Sequence, residues 1–271
     1  MRAAEALKRA EEALAQMGIS APRLESEILT AHAMGIKQEN LFLHLQEEIS
    51  QEAFENLLQR RLRGEPIAYI TGLKDFFGRE FEITPDVLIP RPETETLVEV
   101  ILKNTPHPSG VWADIGTGSG IIAITLALEK GGWQWIATDV SVSALRLAKR
   151  NAQRFSASVN FVKGDCLTIF QKCSLSGIVS NPPYVSPQDE HLDPHVREWE
   201  PHVALFAPNG TSFIQNLIKT APHVLKPGGV LCFEFGMGQA QRVEELLREH
   251  YQFQIIPDMS GIPRVAFANL R

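Results

Sequence analysis

Apolar residues recur at helical spacing through the first part of the chain. Ala3, Leu7, Ala10 and Leu14 share one helical face, and Leu24, Ile28 and Leu29 open a second run. Gly18 predicts a stop between them, and Ser20-Ala21-Pro22 a cap and first turn for the next helix. A further helix is predicted over about 51–62, closed near Gly64. Residues 1–63 thus read as a small helical bundle. Over 64–92 the periodicity breaks. Gly64, Pro66, Gly72, Gly78, Pro85, Pro90 and Pro92 punctuate short runs such as REFEIT and DVLI, which predicts a β-hairpin connector.

From there to residue 271 the pattern alternates. VWADIG, WQWIATDV, VNFVKGD, GIVSN and GVLCFEF read as strands. GIIAITLALEK, SALRLAKRNAQRF and segments near 211–224 and 239–249 read as helices, and two strands close the chain. This alternation implies an α/β domain over 93–271 with a doubly wound, mostly parallel sheet.

Composition narrows the function classes. The 271 residues are 44% hydrophobic and 21% charged, as in a globular protein, and the formal net charge of -6 gives no general reason to expect DNA or RNA as a partner. The densest basic cluster, Arg60, Arg61 and Arg63, fits the solvated end of a helix. Three cysteines without C-x-x-C spacing argue against a disulfide framework and a zinc site, and no metal is expected. The N-terminal stretch is amphipathic but rich in Glu, unlike a transit or signal peptide, and no uncharged stretch has transmembrane length. A cytoplasmic protein without a membrane partner is the expectation.

Candidate chemistry gathers at the strand ends of the sheet. In ADIGTGSG, Gly116, Gly118 and Gly120 lie between the first strand and the first helix, where backbone N–H groups can approach a ligand closely. The spacing is G-x-G-x-G and not the G-x-G-x-x-G of dinucleotide binders, and tight-turn glycines are the competing reading. Asp139 ends the second strand, where a carboxylate can accept both hydroxyls of a ribose, or cap the next helix with Ser141. Asp165 ends the third strand, at the place of an adenine edge or as a plain turn residue. Asp114 precedes the glycines, within reach of a ligand's charged amine. Acids around one crevice with no P-loop lysine favour an adenosine carrying a cationic amino-acid tail over a dinucleotide. S-adenosyl-L-methionine, leaving as S-adenosyl-L-homocysteine, meets that description, with Thr117 and Cys166 among the residues flanking it.

Asn181-Pro182-Pro183-Tyr184 ends the fourth strand on the same side of the sheet. An amide or aromatic amine nitrogen is a poor nucleophile because its lone pair is delocalised. To be methylated it must be held in line with the donor, its hydrogens drawn to acceptors. The Asn181 side-chain oxygen and the Pro182 carbonyl can accept those hydrogens, the prolines stiffen the loop, and Tyr184 offers a flat face. Orientation of this kind contributes up to roughly 7–11 kcal/mol in favourable cases. A plain turn is the competing reading.

With these residues in place the chain resembles the class I S-adenosylmethionine-dependent methyltransferases. More closely, it resembles the protein-(glutamine-N5) methyltransferases of peptide chain release factors (the HemK/PrmC family). The resemblance runs through GEPIAYITG, FFGREFEITPDVLIPRPETE, DIGTGSG, NPPY, EWEPHVAL and DMSGIPRV, and IPRPETE is its most specific part. It implies a seven-stranded Rossmann-like sheet and methylation of the glutamine in a Gly-Gly-Gln loop. It also implies that Arg91, Pro92 and Glu93 line the pocket with NPPY, and that the N-terminal helices contact the release factor. The competing reading of Arg91 and Glu93 is an ion pair capping the helix that begins near 93, and that of Cys166 is buried filler. A DNA or RNA amino-group methyltransferase shares the NPPY chemistry but calls for a basic channel. An NAD-dependent dehydrogenase is disfavoured by the glycine spacing. A non-catalytic module is disfavoured by the complete set of chemical groups.

Overall fold

The computed structural model describes residues 1–105 and 110–271. The chain divides into two compact units, Met1–Leu73 and Lys74–Arg271.

The first unit is helical: α1 Ala3–Gln16, α2 Pro22–Met34, α3 Gln51–Leu62 and α4 Ile67–Thr71, with a 3₁₀ turn at Gln38–Leu43. Its core joins Ala3, Ala6, Ala10 and Leu14 of α1 to Leu29, Phe54, Leu58 and Ile70, all buried. Ser50 caps α3 by accepting the Ala53 N–H at 3.2 Å. Ser20 does not cap α2. Ala21 holds that position, no side chain caps it, and Pro22 opens the helix with its pre-set φ. The basic cluster is partly spent on ion pairs, Arg61 with Glu25 at 2.6 Å and Arg60 with Glu65 at 2.5 Å.

The span 64–92 holds more than a hairpin. Pro66 and left-handed Gly72 (φ 73°) frame α4, whose Ala68, Tyr69 and Ile70 are buried. A helix of one turn is too short to show periodicity, so its boundaries read as loop punctuation. The hairpin follows, β1 Leu73–Phe76 and β2 Arg79–Glu82, in a two-stranded sheet.

In the second unit come α5 Glu93–Asn104, β3 Gly110–Ile115, α6 Ile121–Glu129, β4 Trp133–Asp139, α7 Val142–Arg154, β5 Val159–Lys163 and β6 Leu175–Ser180. After them come α8 Pro194–Trp199, α9 His202–Leu205, α10 Ser212–Val224, β7 Leu225–Glu234, α11 Ala240–Leu247, β8 Tyr251–Pro257 and β9 Pro263–Leu270. The seven strands run in the order β5-β4-β3-β6-β7-β9-β8, and β9 alone runs opposite to the other six.

Both sheet faces are buried, which is why these strands read as near-continuous apolar runs. On one face Ala113, Ile115, Ile178, Leu231 and Phe233 pack with Ile214, Leu217 and Ile218 of α10 and Val243 and Leu247 of α11. On the other, Trp112 of β3 lies 5.0 Å from Trp133 and 5.8 Å from Trp135 of β4, ring centre to ring centre. Gly177 makes room for them, since a Cβ there would sit 2.4 Å from the Trp112 ring.

Chain order reverses between β3 and β6. A crevice opens outside the carboxyl ends of strands at such a switch point, and in open α/β sheets it is where ligands bind.

Candidate active site

A cavity of about 430 Å³ fills this crevice. That lies within the range of small-molecule sites, about 300–1,000 Å³. Its walls come from 86–94, the loop after β3, the ends of β4 and β5, the loop after β6, and 203–216.

The glycine loop shows two different uses of glycine. Gly116 (φ 72°) and Gly118 (φ 55°) line the cavity with open space where a Cβ would project, as a ligand-facing backbone needs. Gly120 (φ 85°) does not line it. A Cβ there would lie 3.0 Å from the Ala148 Cβ, so this glycine lets α6 and α7 approach.

Asp114 stands behind the loop and not on the cavity wall. It is fully buried, and its Oδ2 accepts the Thr117 hydroxyl at 2.6 Å and the Ala123 N–H at 3.3 Å. It thereby supplies an acceptor to the start of α6, whose N-cap, Gly120, has no side chain to offer. Its Oδ1 has no partner, and burial, the largest influence, raises the carboxyl to about 7 against these two bonds, with the Asp139 charge adding to the rise.

Asp139 does line the cavity. Its Oδ2 accepts the Gly118 N–H and its Oδ1 the Ser141 N–H, each at 2.9 Å, and each oxygen keeps a further lone pair. Ser141 takes the helix-capping role, accepting the Ala144 N–H at 3.2 Å. Asp165 is exposed at the cavity rim. Cys166, buried beside it, adopts a left-handed φ of 49° that a non-glycine residue rarely takes.

In the loop after β6, Asn181 and Pro183 line the cavity, whereas Pro182 and Tyr184 pack behind it. The Asn181 Nδ2 donates to the Thr94 hydroxyl at 2.9 Å, and its Oδ1 is buried without a partner. The Tyr184 hydroxyl donates to Glu234 at 2.9 Å, and its ring lies against Gly236. The same carboxylate accepts the Thr94 hydroxyl at 2.7 Å. The loop's first and last side chains are thus tied, directly or through Thr94, to one buried acid.

Arg91 lines the cavity; Pro92 and Glu93 do not. Pro92 is the N-cap of α5 and Glu93 its first residue. Arg91 pairs with Glu200 and not with Glu93. Glu200 is buried, and its other oxygen accepts the Ile89 N–H at 3.1 Å, so it fastens the 89–91 strap from 109 residues away.

The chain is similar to known proteins along its full length. Residues 5–72 match the PrmC N-terminal domain, and 92–197 match the Methyltransferase small domain. A release factor glutamine methyltransferase from Bacillus cereus is 36% identical over the full length of both chains. One from Koribacter versatilis is 38% identical over 90% of each chain. The chain belongs to the release factor glutamine methyltransferase family. Among solved structures, a methyltransferase from Pyrococcus furiosus superposes with a TM-score of 0.55 at 22% identity, covering 80% of this chain and 98% of its own. A ribosomal protein L11 methylase from Lactobacillus delbrueckii gives 0.53 at 20%, covering 73% and 90%; at these identities the likeness concerns the fold alone.

For this member of the release factor glutamine methyltransferase family, sequence reasoning missed Thr94, Glu200 and Glu234 as parts of the site. Glu234 had a signal, since an acid inside the apolar strand VLCFEF needs a partner once buried. Thr94 and Glu200 lie inside the quoted runs IPRPETE and EWEPHVAL, but nothing local marks what they touch.

Proposed function

We propose that this protein transfers a methyl group from S-adenosylmethionine to the side-chain amide nitrogen of the Gly-Gly-Gln glutamine of peptide chain release factors, in the cytoplasm. What carries the reading is Asn181: an amide on the cavity wall whose nitrogen is already bonded and whose oxygen is buried with no partner. A buried acceptor left unmet costs about 1–3 kcal/mol, and a substrate N–H would relieve it. Family membership supports glutamine as the source of that N–H, and the named relatives modify release factors.

The wall fits the methyl donor. Gly116 and Gly118 leave the backbone open to it, Asp139 retains lone pairs for ribose hydroxyls, and Asp165 and Cys166 edge the place of the base. Bound there, S-adenosylmethionine supplies an electrophilic methyl on a sulfonium and leaves as S-adenosylhomocysteine. The chain's own part is orientation. Asn181 Oδ1 draws one glutamine N–H bond, family membership supports the Pro182 carbonyl as the acceptor of the other although Pro182 itself packs behind the wall, and Pro183 holds the loop stiff. The methylated nitrogen is strongly acidic and sheds its proton without a dedicated base. Asp114 acts on the donor through the loop it braces. Arg91, fixed by Glu200, forms the wall beside Thr94.

Met1–Leu73 serves release-factor recognition in this reading, supported by the match of 5–72 to the PrmC N-terminal domain. Among the described residues no helix is long and apolar enough to cross a membrane, and all three cysteines are unpaired, which suits a reducing compartment. Mass spectrometry tests the substrate. Intact release factor incubated with the protein and S-adenosylmethionine should gain one methyl group on the Gly-Gly-Gln glutamine. Transfer to nucleic acid with none to release factor would overturn the proposal.

A further inference from the structure

A side-chain amide presents its oxygen and its nitrogen with nearly the same shape, so an asparagine placed to accept a substrate hydrogen needs something to decide which atom faces it. Here the decision is made two hydrogen bonds away. We propose that Thr94 and Glu234 are positioning residues for methyl transfer, fixing through a directed chain of hydrogen bonds that Asn181 offers oxygen to the substrate. The proposal rests on the reading of Asn181 as the acceptor of the substrate amide.

The number of available hydrogens fixes the direction of each bond. Glu234, at the end of β7, is 1% exposed and receives two hydroxyls, Thr94 Oγ1 on Oε2 at 2.7 Å and Tyr184 on Oε1 at 2.9 Å. One donor on each oxygen is what an ionised carboxylate takes. Burial, the largest influence, raises this carboxyl above its ordinary value, while the Thr94 and Tyr184 hydroxyls and the charge of Arg264 on β9 act against it. Threonine has a single hydroxyl hydrogen. Once it points at Glu234, Thr94 has only lone pairs left for Asn181. The amide must therefore turn its NH₂ toward Thr94, which it does at 2.9 Å. Oδ1 is the atom that remains, and among the described residues it has no partner.

The same carboxylate spends the hydrogen of Tyr184. Both ends of the Asn181–Tyr184 loop are thereby referred to one group on a neighbouring strand, since β6 pairs with β7. Asn181 is reached through Thr94 at the start of α5, 87 residues earlier in the chain. Neither Thr94 nor Glu234 acts on a proton of the reaction. They set an orientation.

Isosteric changes separate this from plain packing. Glu234→Gln keeps the volume but brings an NH₂ that can donate to Thr94, turning the threonine hydrogen toward Asn181 and its amide the wrong way. Thr94→Val removes the relay, and Thr94→Ser keeps it. The experiment measures kcat and KM for methylation of intact release factor, S-adenosylmethionine affinity by calorimetry, and Tm, for the wild type, these variants and Asn181→Ala. Glu234→Gln and Thr94→Val should each lower kcat roughly tenfold or more, with donor affinity within about twofold of wild type, and Thr94→Ser should restore most of the loss. If Glu234→Gln does not fold, the Val and Ser variants at position 94 decide alone. Wild-type kcat in Thr94→Val, or a loss that Thr94→Ser does not restore, overturns the relay while an inactive Asn181→Ala leaves the acceptor reading standing. Full activity in Asn181→Ala removes both.

Discussion

Asp114→Asn tests how the glycine loop is held, and the structure sets its size. In the folded protein the carboxyl is raised by burial to about 7, whereas its ordinary value is 3.8. The native state therefore keeps a proton that the unfolded chain gives up, and folding takes up protons between those values. The sign follows. For an acid raised on folding, stability falls as pH climbs from about 3.8, and the full cost is present above about 7. At about 1.36 kcal/mol per pH unit, that cost is about 4 kcal/mol at pH 8. Asparagine escapes it and keeps one oxygen for the Thr117 hydroxyl and the Ala123 N–H. Its NH₂, however, falls where Oδ1 has no partner, and an unmet buried donor costs about 1–3 kcal/mol.

The variant should therefore gain about 1–3 kcal/mol at pH 8 and close to nothing at pH 5. For a unit of this size that is a rise in Tm of roughly 2–12 °C at the higher pH. Calorimetric melting of both proteins without methyl donor, from pH 5 to 9 at constant ionic strength, measures it. A variant that melts below wild type at pH 8, or a gap that does not widen between pH 5 and 8, refutes the buried-acid account of the loop.

Other outcomes follow from the same geometry. Asn181→Ala should abolish turnover while S-adenosylmethionine binding, followed by calorimetry, stays near wild type. Asp139→Ala removes the acceptor of the Gly118 and Ser141 N–H groups and should weaken donor binding at least about tenfold, read as Kd. Gly177→Ala sets a methyl against the locked Trp112 ring and should cost about 1–3 kcal/mol, read in denaturant titrations. Burial raises the Glu234 carboxyl above its ordinary 4.5, against the Thr94 and Tyr184 hydroxyls and Arg264, with Glu93 adding to the rise. Protonation would let it donate to Thr94, so kcat should fall with decreasing pH while still above the ordinary carboxylate range, and Glu234→Gln should lack that limb.

What was legible in the chain divides by the range of the interaction that carries it. Strand and helix alternation depends on neighbours in sequence, and the doubly wound sheet was visible in it. Single-turn α4 was not, because five residues show no period and its framing Pro66 and Gly72 look the same around a loop. The glycine loop was visible, but not that Gly116 and Gly118 face the cavity while Gly120 serves helix packing, because that difference depends on Ala148. Arg91 shows the limit most clearly. Local sequence offers Glu93 as its partner, and the fold supplies Glu200.

The NPPY loop obeys the same division. Its composition told of stiffness and of one acceptor oxygen, both properties of the residues themselves. Which way the amide faces is a property of Thr94 and Glu234, brought to it from α5 and from β7, the strand paired with β6. A stiff loop alone would leave the amide free to turn. Orientation chemistry on a planar nitrogen thus depends on residues that carry no signature of that chemistry, and an acid out of place in an apolar strand is the trace such a residue leaves.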